Sequence, residues 1–124
     1  MGLDSYLFKE KPGDTQFDLP MGLVGGMFSG HGSDGSFRGK VYEGVFNYLT
    51  EGETLYTEEA DNSWVRMVAS RMRKNLDEAQ KDPESMKALL RFLNRSDYDM
   101  LEVEALVQLF EQAGEKGCKY GGWW

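Results

Sequence analysis

The side chains and backbone best suited to chemistry lie in residues 22–39. Seven of these eighteen residues are glycine, and His31 is the single histidine of the chain. Arg38 and the adjoining Lys40 place two positive charges where the segment ends. Glycine is costly in conformational entropy, so a dense cluster indicates backbone at positive φ or backbone that another group approaches closely. If the chain has a ligand site, we expect it here.

Within this segment, residues 30–35 read Gly-His-Gly-Ser-Asp-Gly and match the dinucleotide-binding pattern GxGxxG. That pattern needs a strand-to-helix turn in a parallel sheet, where backbone amides hold a pyrophosphate. The remaining sequence is mainly helical in pattern, which argues against such a sheet. A narrower alternative is a small anion bound by Ser36, Arg38, Lys40 and loop amides near a helix start, with His31 close by.

Other chemistries receive less support from the composition. One histidine and one cysteine do not supply a four-ligand zinc site, so we expect no metal and no cofactor. Cys118 has no histidine near it in the sequence and is interpreted as an ordinary or buried thiol. The net charge is −7, and residues 1–64 carry 11 acids against 4 bases, which would repel phosphates. We therefore do not expect nucleic-acid binding.

The charge is banded along the chain. Residues 43–61 hold 6 acids and no base, whereas residues 66–95 hold 8 bases against 4 acids. Both bands could face water or pair with each other, or the acidic band could form a surface complementary to a partner. The charge pattern leaves both alternatives open.

Hydrophobic spacing predicts β structure near the start of the chain, followed by a helix. Residues 3–8 are predicted as a strand, residues 23–28 as a second strand and residues 29–36 as a loop. A helix is expected from about Arg38, with Gly52 as the glycine that follows its end. The predicted buried face of this helix consists of Val41, Val45, Tyr48 and Leu49.

Three further helices are marked by capping residues. Residues 61–63, Asp-Asn-Ser, supply N-cap candidates for the first, Asp82 and Pro83 begin the second, and the pattern at residues 96–99 is a capping box for the third. The apolar stripe of the first consists of Val65, Val68, Met72 and Leu76. The third, residues 101–110, is apolar around most of its circumference, which predicts burial within the domain or at an oligomer interface.

The last two residues, Trp123 and Trp124, are unusual for a chain end, which is normally polar. Leaving both in water would forgo several kcal/mol of burial, at about 25 cal/mol per Å². We expect them either to dock back onto the domain or to anchor a partner or a second subunit. With Phe110 of the apolar helix, they are the candidate interface residues.

Separated pieces of the chain resemble a group of short, uncharacterised bacterial and phage proteins that begin Met-Gly-Leu-Asp-Met-Tyr-Leu. The pieces are residues 1–7 (Met-Gly-Leu-Asp-Ser-Tyr-Leu), residues 36–42 (Ser-Phe-Arg-Gly-Lys-Val-Tyr) with residues 55–56, and the Gly-Trp-Trp ending. They cover roughly a third of the chain, and Ser5 stands where that group has Met. The resemblance implies a small accessory protein of mobile or phage-related DNA and carries over no activity or site residue. We expect the matched pieces to meet in space.

These observations predict one α+β domain spanning residues 1–124, with a small N-terminal β element and a glycine-rich loop packed against about four helices. The sequence shows no signal peptide and no apolar stretch of transmembrane length, so we expect a soluble cytoplasmic protein that does not bind membranes. The predicted function is a non-enzymatic interaction module that binds a protein partner or a second copy of itself. The alternative is a small anionic-ligand-binding protein or enzyme that uses Ser36, Arg38, Lys40 and His31.

Overall fold

The computed structural model describes residues 2–25, 33–91 and 100–124, which form a four-stranded sheet and four helices. In chain order the elements are β1 (Asp4–Phe8), β2 (Ser36–Arg38), α1 (Gly39–Leu49), β3 (Glu59–Ala60), α2 (Asn62–Lys81), α3 (Pro83–Leu90), α4 (Met100–Glu115) and β4 (Lys119–Trp123). This arrangement confirms the predicted α+β class. No helix within the described ranges is long and apolar enough to cross a membrane.

The strands are arranged in the order β2-β1-β4-β3, and each neighbouring pair is antiparallel. The first strand is confirmed as β1. The predicted second strand, residues 23–28, is wrong for residues 23–25, which are irregular, and residues 26–28 lie outside the described ranges. The neighbours of β1 in the sheet are Ser36–Arg38 and Lys119–Trp123. Val24 lies beside β2, and its carbonyl accepts a hydrogen bond from the Arg38 amide at 2.7 Å.

Residues 119–123 depart most from the expected fold, because they form a strand. Lys119–Trp123 pairs with β1 along the whole length of β1, so β4 occupies the interior of the sheet. The sequence pattern predicts no strand here, because glycines at 121 and 122 lower strand propensity. In the register of the sheet, Asp4 pairs with Arg38 on one side and with Trp123 on the other. The pieces of the chain that carry the resemblance therefore meet in space, as expected.

One face of the sheet carries the core. Side chains alternate between the two faces of a strand, and Leu7, Phe37 and Tyr120 on this face are fully buried. Phe110 of α4 packs on them, with ring centroids 6.1 Å from Phe37 and 6.3 Å from Tyr120. The prediction that Phe110 belongs to an interface is therefore wrong, because its ring is fully buried at the centre of this core. The apolar circumference of α4 is buried mostly within the domain.

α1 confirms the helix predicted from about Arg38, but it buries a different face. Its buried side chains are Tyr42, Val45, Phe46 and Leu49. Tyr48, which belongs to the predicted face, is exposed. The helix ends in a turn in which the Glu51 amide donates to the Tyr48 carbonyl and the Gly52 amide donates to the Asn47 carbonyl. Glu51 has a φ of 62°, so it occupies the position after the helix end that favours glycine, instead of Gly52.

α2 and α3 agree with the sequence prediction. The Asp61 carboxylate caps α2 by accepting from the Trp64 amide at 3.0 Å. Asp82 caps α3 by accepting from the Glu84 amide at 3.1 Å, with proline at the first helical position. The predicted stripe of α2 is fully buried and comprises Val65, Val68, Met72 and Leu76. The capping box at residues 96–99 lies outside the described residues.

Arg73 links α2 to α4. Its guanidinium donates to Glu104 at 2.9 and 2.5 Å and to Glu111 at 3.0 and 2.8 Å. The hydrogen bonds from Arg73 lower the pKa of Glu104, and those to the two carboxylates raise the pKa of Arg73. The network fixes the packing of the two longest described helices.

Candidate functional site

The residues predicted to bind an anion differ in exposure to solvent. Ser36 is fully buried, and its hydroxyl donates to Asp34 Oδ1 at 2.7 Å while its amide donates to the same oxygen at 3.0 Å. Ser36 therefore closes the turn before β2 and does not face solvent, and Asp34 adds a negative charge beside it. Arg38 and Lys40 are exposed on β2 and α1, and His31 lies outside the described residues.

Two glycines of the segment are explained by close packing of β2 on β1. Gly35 has a φ of 85°, and a Cβ on it would lie 2.2 Å from the Leu7 carbonyl oxygen. A Cβ on Gly39 would lie 2.2 Å from Ser5 Oγ. Both positions therefore require glycine for structural reasons, which accounts for part of the glycine density without a ligand.

The end of β4 carries an exposed aromatic patch, which consists of Tyr56, Trp123 and Trp124. Their exposed fractions are 39%, 63% and 45%. The rings of Tyr56 and Trp124 meet edge to face, with centroids 5.4 Å apart and planes at 75°. Such a contact orients the rings of Tyr56 and Trp124 relative to each other.

Tyr120 connects the aromatic patch to the core. Its hydroxyl donates to the Leu55 carbonyl at 2.6 Å and accepts from Ser5 Oγ at 2.8 Å. Burial raises the pKa of Tyr120, so the hydroxyl keeps its proton and remains a donor. The bond to Leu55 holds the segment 54–58 against the end of β4, which places Tyr56 beside Trp124.

The backbone beneath Tyr56 is held from the other side by Glu43 of α1. The Glu43 carboxylate accepts from the Leu55 amide at 2.8 Å and from the Thr54 hydroxyl. The Tyr56 amide donates to Thr54 Oγ1 at 3.0 Å, and the Leu55 side chain is fully buried. Tyr56 therefore follows a residue whose amide and carbonyl are both hydrogen-bonded, which reduces the entropy lost when a partner binds.

Gly122 makes the crossing of segment 54–58 over β4 possible. A Cβ on Gly122 would lie 2.6 Å from the Thr57 carbonyl oxygen and 2.8 Å from that of Leu55. The Gly122 amide donates to the Glu58 carbonyl at 3.2 Å. The glycine at position 122 is thus a packing requirement.

A groove of about 270 Å³ adjoins the patch and is lined by Glu58, Gly122, Trp123 and Trp124. Glu58 is exposed, and within the described part of the chain its carboxylate has no hydrogen-bond or ion-pair partner. Each other acid of the band 43–61 has a partner for its side chain: Glu43, Glu51, Glu53, Glu59 and Asp61. The unpaired carboxylate of the band therefore lies beside the exposed tryptophans.

Cys118 and the possible metal ligands are the remaining candidates for chemistry. Cys118 is fully buried, which selects the second of the two predicted alternatives, an ordinary or a buried thiol, and burial raises the pKa of its thiol. Among the residues that the structure describes, no three side chains of His, Cys, Asp or Glu lie close enough together to hold a metal ion.

Fold and patch together define an α+β domain with an exposed aromatic surface at the end of an interior strand. Comparison with protein-family models, with curated proteins and with solved structures gives no match for this chain. The resemblance to short bacterial and phage proteins stays a prediction.

Proposed function

We propose that this protein is a non-enzymatic interaction module that binds a partner protein through the aromatic patch of Tyr56, Trp123 and Trp124. The observation that carries the proposal is the exposure of these three side chains, with Trp123 on a strand that pairs with β1 and Tyr56 next to Leu55, whose amide and carbonyl are both hydrogen-bonded. Tryptophan and tyrosine are the residues most enriched at the energetic centres of protein interfaces. The resemblance noted above supports an accessory role in mobile or phage-related DNA.

The size of the patch suits the centre of an interface. With up to about 250 Å² per aromatic side chain, the exposed fractions correspond to roughly 350 Å². That area lies within the ~300–600 Å² of the largest apolar patch on a typical monomer. It is almost half of the ~800 Å² that each partner contributes to a standard interface.

The adjoining groove favours a protein partner over a small-molecule substrate. Its volume of about 270 Å³ lies below the ~300–1,000 Å³ typical of ligand pockets. A groove of this size accommodates one side chain of a partner whose remaining surface covers the patch.

Selection from a phage-displayed peptide library on the immobilised protein tests the proposal. Selected peptides are expected to lose at least about thirtyfold in affinity when Trp123 and Trp124 are both replaced by alanine, which corresponds to about 2 kcal/mol for a hot spot. Leu101→Ala is the matched control, because Leu101 is a similarly exposed apolar side chain (48%) at the start of α4. Unchanged affinity in the double variant, with circular dichroism showing intact folding, overturns the proposal.

Sedimentation velocity of the wild-type protein over a concentration series distinguishes a second copy from a different partner. A dimer that forms with increasing concentration and is abolished by Trp124→Ala identifies the partner as another copy of this chain. A monomer throughout the series, together with patch-dependent peptide binding, identifies the partner as a different protein.

A further inference from the structure

We propose that the groove beside the aromatic patch binds the guanidinium group of an arginine side chain on the partner. The proposal rests on the proposed function and specifies the partner's chemistry at one point of contact. Three features of the groove support it: the indole rings, the Glu58 carboxylate and the charges around them.

The indole rings supply the first feature. The face of an aromatic ring carries a negative quadrupole that attracts a cation, and tryptophan is the strongest such partner. Trp123 and Trp124 both line the groove and both retain large exposed fractions. A planar, weakly hydrated guanidinium stacks on such a face more readily than a compact ammonium does.

The Glu58 carboxylate supplies the second feature. The next acid along the chain, Glu59, forms an ion pair with Lys119 at 3.6 Å. Glu53 accepts from the Trp64 indole at 2.9 Å. Glu58 has no such partner within the described ranges, and it lines the same groove as the tryptophans. A guanidinium presents several donors in one plane, so one face can stack on an indole while its edge donates to this carboxylate.

The surrounding charges supply the third feature. Residues 43–61, which contain Tyr56 and Glu58, hold 6 acids and no base. On the sheet side, the position paired with Trp123 is Asp4, and Arg38 lies one strand further away. With strands about 4.8 Å apart, Arg38 is about 10 Å from Trp123 across the sheet. In the register of the sheet, an acidic residue therefore stands next to Trp123 and the basic residue stands one strand further away, which favours a basic occupant over a neutral or anionic one.

Titration of the ¹⁵N-labelled protein with Nα-acetyl-arginine amide, followed through the indole N–H signals of Trp123 and Trp124, tests the proposal. We expect saturable shifts at millimolar concentration and none with the isosteric citrulline amide, which lacks the charge. Glu58→Gln is expected to weaken binding about fivefold, as for a partly exposed ion pair. Glu59→Gln changes the net charge equally and is the matched control, with an expected effect of less than about twofold.

Four results overturn the proposal. They are the absence of a saturable shift, equal shifts with arginine and citrulline amides, equal effects of Glu58→Gln and Glu59→Gln, and tighter binding of Nα-acetyl-lysine amide. The peptide selection separates this failure from failure of the proposed function. Peptides that require Trp123 and Trp124 but contain no arginine support the proposed interaction module and refute the arginine site. Peptides that bind independently of both tryptophans refute the module itself, while the amide titration still reports on the groove.

Discussion

Removal of the Tyr120 hydroxyl is expected to weaken both the core and the aromatic patch. Tyr120→Phe retains the ring, which is fully buried, and deletes the oxygen that bonds Leu55 at 2.6 Å and Ser5 at 2.8 Å. The Leu55 carbonyl then loses this donor and the Ser5 hydroxyl loses this acceptor, both in a buried site. Since each buried polar group left without its partner costs about 1–3 kcal/mol, we expect the free energy of unfolding to fall by about 2–4 kcal/mol.

Urea denaturation followed by circular dichroism measures this change. For a chain of 124 residues, the same loss corresponds to a fall in Tm of roughly 8–15 °C. A double-mutant cycle assigns the loss to the hydrogen bond, because Ser5→Ala should be milder by about 1 kcal/mol in the Tyr120→Phe background than in the wild type. Peptide binding should also weaken, since Tyr120 holds the segment that carries Tyr56.

Tyr120→Phe is also expected to change how the free energy of unfolding depends on pH in the alkaline range. Burial raises the pKa of Tyr120 above its ordinary value of 10.0, so the unfolded chain loses this proton at a lower pH than the folded chain does. The stability contributed by the protonated hydroxyl is therefore full below about pH 10 and declines as the pH rises above that value. The advantage of the wild type over Tyr120→Phe should narrow accordingly, and the other tyrosines cancel because both proteins carry them.

Two results would refute this reasoning. If Tyr120→Phe and the wild type differ by less than about 0.5 kcal/mol at pH 7, the two hydrogen bonds do not stabilise the fold as argued. If the variant is destabilised as expected but binds selected peptides with wild-type affinity, the bond to Leu55 does not control the position of Tyr56.

Three further comparisons test local packing and charge. Gly122→Ala is expected to destabilise the protein by about 2 kcal/mol or more, because its Cβ would lie within 2.8 Å of two carbonyl oxygens, whereas Gly121→Ala would meet a ring edge at 3.2 Å and should cost less. Thermal denaturation compares the two, and equal losses would contradict the packing argument. Glu51→Gly is expected to be more stable than Glu51→Ala by about 1 kcal/mol in urea, because a φ of 62° is unfavourable for any side chain; an equal or lower midpoint would contradict this. Arg73→Met should cost about 1–3 kcal/mol at pH 7. Because Arg73 lowers the pKa of Glu104, that contribution is full above the ordinary glutamate value of 4.5 and is lost as the pH falls through the lowered pKa, so a pH-independent difference would count against it.

The helices could be predicted where a capping residue and an apolar stripe agree, as at Asp61 and Asp82. α1 shows the limit of periodicity, because its sequence contains two overlapping stripes at helical spacing. The buried stripe is selected by tertiary contacts: the Tyr42 ring meets Phe37 with centroids 6.0 Å apart, and the Tyr42 hydroxyl donates to the buried Glu102 carboxylate at 2.6 Å. Neither contact is visible in a local window of sequence.

The short strands could not be predicted, because their conformation depends on distant partners. β3 has 2 residues and β2 has 3, which is too short for an alternating pattern to stand out. β4 contains two glycines, and their requirement arises from carbonyl oxygens of residues 55–57 and from the Phe8 ring. A strand stabilised by such contacts has no local hydrophobic signal.

The candidate site could be predicted in part. Trp123 and Trp124 are visible as interface candidates in the sequence, because tryptophan is strongly enriched at the energetic centres of interfaces. Tyr56 and Glu58 carry no such signal, since they join the tryptophans only through the crossing of segment 54–58 over β4. Phe110 illustrates the opposite error, because an apolar helix face has the same sequence pattern in a core as in an interface.

The interior position of β4 sets the order in which the sheet can be completed during synthesis. Ser5 and Tyr120 are separated by 115 positions in the chain, yet they lie on neighbouring strands. At about 5–20 residues per second, a ribosome needs roughly 6–23 s to supply the second strand after the first. Until then β1 can pair only with β2, and its other edge exposes unpaired backbone amides and carbonyls to any extended chain nearby. The nascent protein is therefore most open to chaperone capture, or to mispairing with a neighbouring nascent chain, at the edge of β1 that β4 later covers.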